Sequence, residues 1–492
     1  MQLQAWAAAR VLTGSAAGPP EPMWLLAEGD QLLALGSLDA GRYPASLREV
    51  HAALERRYAR HIPLTDFGDR LLTPAFVDAH THLALVALRA LPAEHATCRN
   101  MVEQLFFRHE ARLTAADVRA FTRLGAYECL LHGTGLVWDH YYFGEAVAAG
   151  MADAGLSAVV APTLQDRSGP GQGRAEAQLA ATEALTTATW RARGIWAAVG
   201  PHATDTVSAA LWQQAIQLAE RQGLPLHAHL AQSPEEYLRA QEERGCSPTA
   251  WLERIGALAA DLPQVFAHAL FCDQADLARL GPRHCLVFCP FSQAIFGFPA
   301  PVASWAMRGL RWVVATDCAA SNDAMQVQKE LRMVAAQVSQ RLVFHPNYGD
   351  FVRGGSEAEQ QARVVAIAGQ RQQLRAAHTA LTRADALLQT VWERPGSLHP
   401  AFRAGSLRPG ALANFVVWDR HAPGLWPLHQ AQHALAFGQP SQAIYALVVR
   451  AEPVGTPGDV GRSLRCSAAY RETVQEATER LQHLRRFLSD SA

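Results

Sequence analysis

Short apolar runs recur along the chain, each followed by a polar segment with helical spacing. Eight stand between residues 72 and 315: Leu72–Val77, Gly135–Trp138, Ser157–Ala161, Ile195–Val199, Pro225–His229, Gln264–Ala267, Cys285–Cys289 and Trp312–Ala315. A strand-length apolar run followed by a helix-like segment reads as a βα unit. Eight such units imply a parallel sheet, and closure into a barrel is the leading solution. The two ends read differently. Trp24–Ala27 and Gln31–Gly36 are short runs near Gly and Pro, and the turn Gly405–Gly410 leads into an apolar strand ending at Asp419. Another late strand covers Ala443–Arg450. The pattern predicts an α/β chain: a TIM-type (β/α)8 barrel over residues 71–400, with a small β domain built from residues 1–70 and 401–492. Asn347–Gln373 is polar and Gly-rich and reads as an excursion after the eighth strand. Ala468–Leu488 has the periodicity of a packing helix.

Composition narrows the class. The chain has 492 residues, 49% hydrophobic and 18% charged, which is too apolar for a disordered protein. At this length a core needs no disulfides. The charges are 44 basic against 45 acidic, so no long-range attraction for nucleic acid or an anionic membrane is expected. Met1–Arg10 lacks a basic segment followed by an apolar core, and no apolar run reaches about 18 residues. Eight scattered cysteines without a CxxC pair suggest a reducing cytoplasm.

The chemistry gathers where the runs end. Val77 leads to Asp78-Ala79-His80-Thr81-His82, Trp138 to Asp139-His140, and Val199 to Gly200-Pro201-His202. Leu226 leads to His227-Ala228-His229, Ala267 to His268, and Ala315 to Thr316-Asp317. The C-terminal strand ends of an α/β barrel form its active-site face. Histidines and a carboxylate converging there make a metal site. With 20 histidines, an HxH triplet is expected roughly once by chance, so the two found here carry little alone. Strand alternation puts His80 and His82 on one face, as chelation needs. For His227 and His229, one serving as ligand while the other packs is an equal alternative.

Leu72-Thr73-Pro74-Ala75-Phe76-Val77-Asp78-Ala79-His80-Thr81-His82-Leu83 resembles the first-strand signature of the amidohydrolase superfamily. His227–Gln232, the His268 segment and Thr316–Asn322 resemble its fifth, sixth and eighth strands. Their order and spacing are similar to the branch of triazine chlorohydrolases and deaminases of adenosine derivatives and guanine. Ala411–Asp419 resembles the returning strand of that family's β-sandwich domain, so the resemblance covers nearly the whole chain.

The resemblance implies that His80, His82, His229 and Asp317 hold one divalent metal, zinc first and iron(II) second. It implies that His268 bonds the nucleophilic water or the substrate, that Asp317 also accepts the nucleophile's proton, and that His202 contacts substrate. For His202 and His268 a hydrogen-bonded core or loop histidine is the alternative. Imidazole and carboxylate suit such ions, and a bound ion lowers the pKa of water from 15.7 toward ~7. Binuclear members bridge their metals with a carboxylated lysine on a barrel strand. The only lysine here is Lys329, in the helix-like segment Met325–Ala335, and Ile195–His202 has none. A lysine-bridged pair is therefore not available, and Lys329 reads as a solvated helix residue.

One departure limits the resemblance. Relatives place a proton-shuttling glutamate three residues after the fifth-strand histidine, where this chain has Gln232. An amide cannot titrate, and a positioned acid–base group is worth ~10²–10⁴ in rate. Four readings follow: a substrate needing less protonation, with Asp317 and His268 sharing proton transfer; Glu235 or Glu236 reaching in; a binding protein without catalysis; or an engineered Glu→Gln form. The complete ligand set favours the first. Gln232 could instead orient an amide-like edge of the substrate, as in oxidised purines, pterins or triazine-diones.

Other departures are milder. Relatives carry Pro-x-Ser-Asn after the seventh strand; here Pro290-Phe291-Ser292-Gln293 keeps Ser292 as a substrate-contact candidate and moves the amide by one methylene. Trp138–Phe143 is aromatic, and Trp138 either stacks on a flat substrate or packs in the core. Arg89, Arg99 and Glu103 lie where relatives place substrate contacts. The expected activity is hydrolysis of a C–N bond in a small nitrogen heterocycle by a mononuclear metal-dependent enzyme, with no nucleic-acid or membrane partner. C–halogen or cyclic-amide hydrolysis at the same metal is the enzymatic alternative. The family implies a homodimer.

Overall fold

The computed structural model describes residues 2–14, 18–90, 100–298, 300–343 and 346–489. Cys98 and Arg99 lie outside the described residues.

Eight parallel strands form a ring: β1 (Phe76–Thr81), β2 (Thr134–Tyr141), β3 (Ser157–Leu164), β4 (Ile195–Ala197, continued at Gly200–Pro201), β5 (Leu226–Leu230), β6 (Gln264–His268), β7 (His284–Phe288) and β8 (Arg311–Val314). β1 to β4 pair in order, as do β5 to β8. Single bridges close the ring, Val199 to Leu226 and Thr81 to Asp317. The interior is filled by Val77, Leu136, Trp138, Val159, Val265 and Val287, so the barrel is a packed core.

The helices between strands follow from local sequence. In Ala209–Gln222 the Ser208 hydroxyl accepts from the Leu211 amide at 3.2 Å, and Gly223 ends the helix at φ +64. Leu211, Trp212, Ala215, Ile216 and Ala219 form its buried stripe.

The chain ends share one eight-stranded sheet. Its path runs Glu452–Val454, Ile444–Val449, Phe415–Trp418, Leu71–Pro74, Leu3–Val11, Glu21–Glu28 and Gln31–Ser37, with Leu64–Asp66 beside Leu3–Val11. The first apolar run is thus divided. Leu71–Pro74 pairs with Phe415–Trp418 in this outer sheet, Ala75 intervenes, and Phe76 begins the barrel. The polar excursion expected at 347–373 follows the eighth strand and is built of helices: Pro346–Arg353 is followed by Glu357–Thr382, started by a Ser356 and Glu359 capping box. Its Gly354 and Gly355 occupy only the junction between the two helices. The tail helix spans Ala468–Ser489. Among the described residues, no helix is long and apolar enough to cross a membrane.

Candidate metal centre

At the C-terminal mouth of the barrel, His80, His82 and His229 each offer a ligand atom within 4.8 Å of the others. His80 and His82 stand on one face at the end of β1, and His229 stands near the end of β5. Each ring is held by a second bond. His82 Nδ1 meets the His140 carbonyl, and His229 Nδ1 meets the His202 carbonyl at 2.9 Å. His80 Nδ1 lies 2.8 Å from His227 Nε2. An Nδ1–H given to a carbonyl leaves Nε2 unprotonated and ready to ligate.

Asp317 closes the group. Its Oδ1 is 3.4 Å from His82 Nε2 and 3.8 Å from His80 Nε2. Its Oδ2 accepts from Ser292 Oγ at 2.6 Å. The residue sits at φ +68, which costs a non-glycine residue ~1–3 kcal/mol. In that conformation its amide donates to the His80 carbonyl and its carbonyl accepts from the His82 amide, both at 3.0 Å. The bonds that close the barrel therefore also aim the carboxylate.

These residues fit a divalent cation. His80 Nε2 is buried with no hydrogen-bond partner, a cost of about 1–3 kcal/mol that a cation would relieve. Burial lowers His82 and His229 to about 4, so both are neutral imidazoles at pH 7. Burial also raises the Asp317 carboxyl above its usual range, opposed by the Ser292 hydrogen bond and the nearby His229. Three neutral imidazoles and one carboxylate are the donors of a borderline divalent ion.

The other strand-end acids brace the mouth. Asp78 accepts from the Thr316 amide and hydroxyl at 3.1 and 2.6 Å, tying β1 to the end of β8. Asp139 Oδ2 accepts from Thr81 Oγ1 and the Leu83 amide at 2.9 and 2.7 Å. His268, at φ +77, stacks on His229 with ring centres 5.5 Å apart. His202 lies 4.7 Å from the His229 ring, its Nδ1 2.9 Å from Thr206 Oγ1. Both line the cavity over the metal group.

Two expected substrate contacts are corrected. Trp138 is fully buried one layer below the mouth, against His227, and does not line the cavity; His140, two residues on along the same face, does. Ser292 is also fully buried, and its hydroxyl is engaged by Asp317 and Ser321. Glu236 is buried at a helix start, where its carboxylate accepts from the Gln232 backbone N–H and the Thr204 hydroxyl at 2.8 and 2.6 Å. Arg89 pairs with Glu128, and Glu103 with Arg239.

The inner cavity is small, about 50 Å³, and a second of about 230 Å³ adjoins it. Val102, Gln232, His268 and Phe296 line both, so Gln232 stands on the divide. The inner cavity holds a residue that sequence reasoning missed, Glu110. It is buried, and burial pushes its carboxyl up to about 8 despite the Tyr141 hydroxyl beside it. The only signal was an acid in the segment after β1, which the fold brings over the mouth.

The amidohydrolase family profile matches residues 71–350, more than half of the chain. The chain belongs to the amidohydrolase family. It is 28% identical over 428 residues to a 5-methylthioadenosine/S-adenosylhomocysteine deaminase of Natronomonas pharaonis, covering 84% of this chain and 90% of that one. It is 30% identical over 275 residues to a 5'-deoxyadenosine deaminase of Methanothrix thermoacetophila, covering 55% of this chain and 64% of that one. The fold superposes on a zinc-bound adenosine deaminase from Xanthomonas campestris with a TM-score of 0.75 at 20% identity, covering 98% of both chains. It also superposes on a zinc complex of atrazine chlorohydrolase from Arthrobacter aurescens, with a TM-score of 0.74 at 17% identity, covering 97% of this chain and 99% of that one.

Proposed function

We propose that this amidohydrolase is a mononuclear metal-dependent hydrolase that cleaves a C–N bond of a small nitrogen heterocycle, releasing ammonia or an amine. The observation that carries this reading is the His80, His82 and His229 group with Asp317 beside it at the mouth of an amidohydrolase barrel. His80, His82, His229 and Asp317 would hold the ion, zinc before iron(II); deaminase relatives and zinc-bound structural neighbours support the choice. When bound, a divalent ion supplies a Lewis acid and hydroxide at neutral pH.

The residues divide the remaining work. Asp317 accepts the nucleophile's proton, its carboxylate held in place by Ser292. Glu110 carries a proton at neutral pH and can give it to the ring nitrogen or leaving amine, the task an amide at 232 cannot perform. Gln232 donates to and accepts from a lactam-like edge of a ring straddling the two cavities. His268 and His202 contact the reacting end of that ring.

Gln232 supports a second reading, hydrolysis of a C–halogen bond at the same centre, since chloride leaves without protonation; a cyclic amide would need a proton on its leaving nitrogen, as deamination does. Metal analysis comes first: about one equivalent of zinc or iron is expected. Purines, pterins, pyrimidines and triazines are then assayed for ammonia and for chloride. A folded protein that takes up no divalent metal would sink both readings. We also read the sheet shared by residues 1–70 and 401–492 as the family's β-sandwich domain around a 71–400 barrel, and a homodimer as the assembly.

A further inference from the structure

A larger cavity, about 1260 Å³, opens on the flank of the barrel and shares no lining residue with the metal centre. One wall is the helix Val327–Val343, which turns Lys329, Arg332, Met333 and Ala336 toward the cleft at the spacing of a single helix face. The facing wall includes Arg462 and Arg465, one turn apart on Val460–Arg465. All four cations are exposed, and among the described residues none has a carboxylate partner. Elsewhere arginines of this chain commonly pair, as Arg119 and Arg193 both do with Asp153.

Two acids also line the cleft, and only one bears on its charge. Asp459 is exposed. Glu330 is buried, with its oxygens accepting from the Phe291 amide and the Asn322 side chain, and burial pushes its carboxyl up to about 8. Four cations thus face one exposed carboxylate in a chain whose net charge is -1. The floor between the walls is tied to both sides. Gln328 Nε2 donates to the Leu435 and Ala436 carbonyls at 2.8 and 3.1 Å, and Gln326 Nε2 to Ser441 Oγ at 3.2 Å. Ahead of Val460–Arg465, the Gly458 amide donates to the Tyr445 carbonyl at 2.7 Å.

We propose that this cleft binds a small soluble compound carrying two or more phosphate groups. Guanidinium groups match phosphate oxygens in bidentate geometry, and cations on two facing walls call for anionic charge at both ends of the ligand. At about 1260 Å³ the cleft has more room than a mononucleotide needs, so the placement of its cations and not its volume defines the ligand. A long nucleic acid is disfavoured, because the cations are confined to one concavity of a chain without basic excess.

The single lysine makes the test direct. Fructose 1,6-bisphosphate is the probe, because it carries two phosphates and holds divalent metals weakly; fructose is its control. With the metal-loaded protein, titration calorimetry is expected to give one equivalent of bisphosphate bound and no binding of fructose. Arg332→Ala with Arg465→Ala is expected to weaken binding roughly tenfold or more. Arg56→Ala with Arg57→Ala, on the distant helix Ala45–Tyr58, is expected to change it less than twofold. Independently of any variant, saturating bisphosphate is expected to slow acetylation of Lys329, read by mass spectrometry. No saturable binding, equal weakening in both double variants, or an unchanged Lys329 labelling rate would each overturn the proposal. So would a Lys329 that resists labelling without probe because a second copy covers the cleft.

Discussion

The metal centre and the cation-lined cleft handle charge in opposite ways. At the barrel mouth the donors are buried, the imidazoles are neutral, and each ring is aimed by a second hydrogen bond. In the cleft the cations are exposed and, among the described residues, without carboxylate partners. Burial makes a neutral donor cheap and a free cation costly, so a deep site is assembled from histidine. A wide cleft leaves arginine and lysine hydrated until an anion arrives. Substitutions at the mouth should therefore act steeply and through geometry, whereas those in the cleft should act modestly and fade with salt.

The steepest test is the ligand set. His80→Ala or Asp317→Ala is expected to abolish stoichiometric metal and lower kcat/KM by roughly 10³ or more, measured by elemental analysis and ammonia release. Glu110→Gln should retain metal yet lower kcat by roughly 10²–10⁴. Activity of the native protein should fall as pH rises through about 8, and that limb should vanish in Glu110→Gln. The same group sets a stability trend. Its folded pKa lies above its ordinary 4.5, so the native state holds the extra proton. That contribution is fully present below pH 4.5 and is lost as pH rises through about 8, so native protein should lose denaturation midpoint over this window relative to Glu110→Gln. A midpoint difference independent of pH would place the charge elsewhere. Ser292→Ala removes the hydroxyl that holds Asp317 and should weaken metal affinity roughly 10–100-fold. Gln232→Glu is expected to have the smallest effect, about a tenfold loss on the true substrate, because Glu110 already supplies a proton. A large gain would return the shuttle to position 232.

The eight barrel runs were legible because buried parallel strands are short and apolar, and the mouth residues because they follow those runs directly. The division at Ala75 was not legible: the run Leu72–Val77 shows no break there, and only pairing with Phe415–Trp418 separates its first part from the barrel strand. The helices at 346–382 were not legible because glycines stand inside both, Gly349 and Gly369, as well as at their junction, Gly354 and Gly355. Trp138 and Ser292 were read as contacts from their place beside strand-end motifs. Depth along a strand, which distinguishes Trp138 from His140, is a three-dimensional quantity. Glu110 carries no motif and reaches the cavity only through the path of the chain after β1.

The strand Leu71–Pro74 has a consequence for how the protein is made. It lies between Leu3–Val11, synthesised just before it, and Phe415–Trp418, which leaves the ribosome only after the entire barrel. One side of the strand therefore waits through most of translation with its hydrogen-bonding groups unpaired, next to the segment that carries His80 and His82. An exposed strand edge is a template for mispairing. Stalled or truncated chains lacking residues beyond 414 would carry this edge permanently, and aggregation during synthesis should begin there rather than at the barrel.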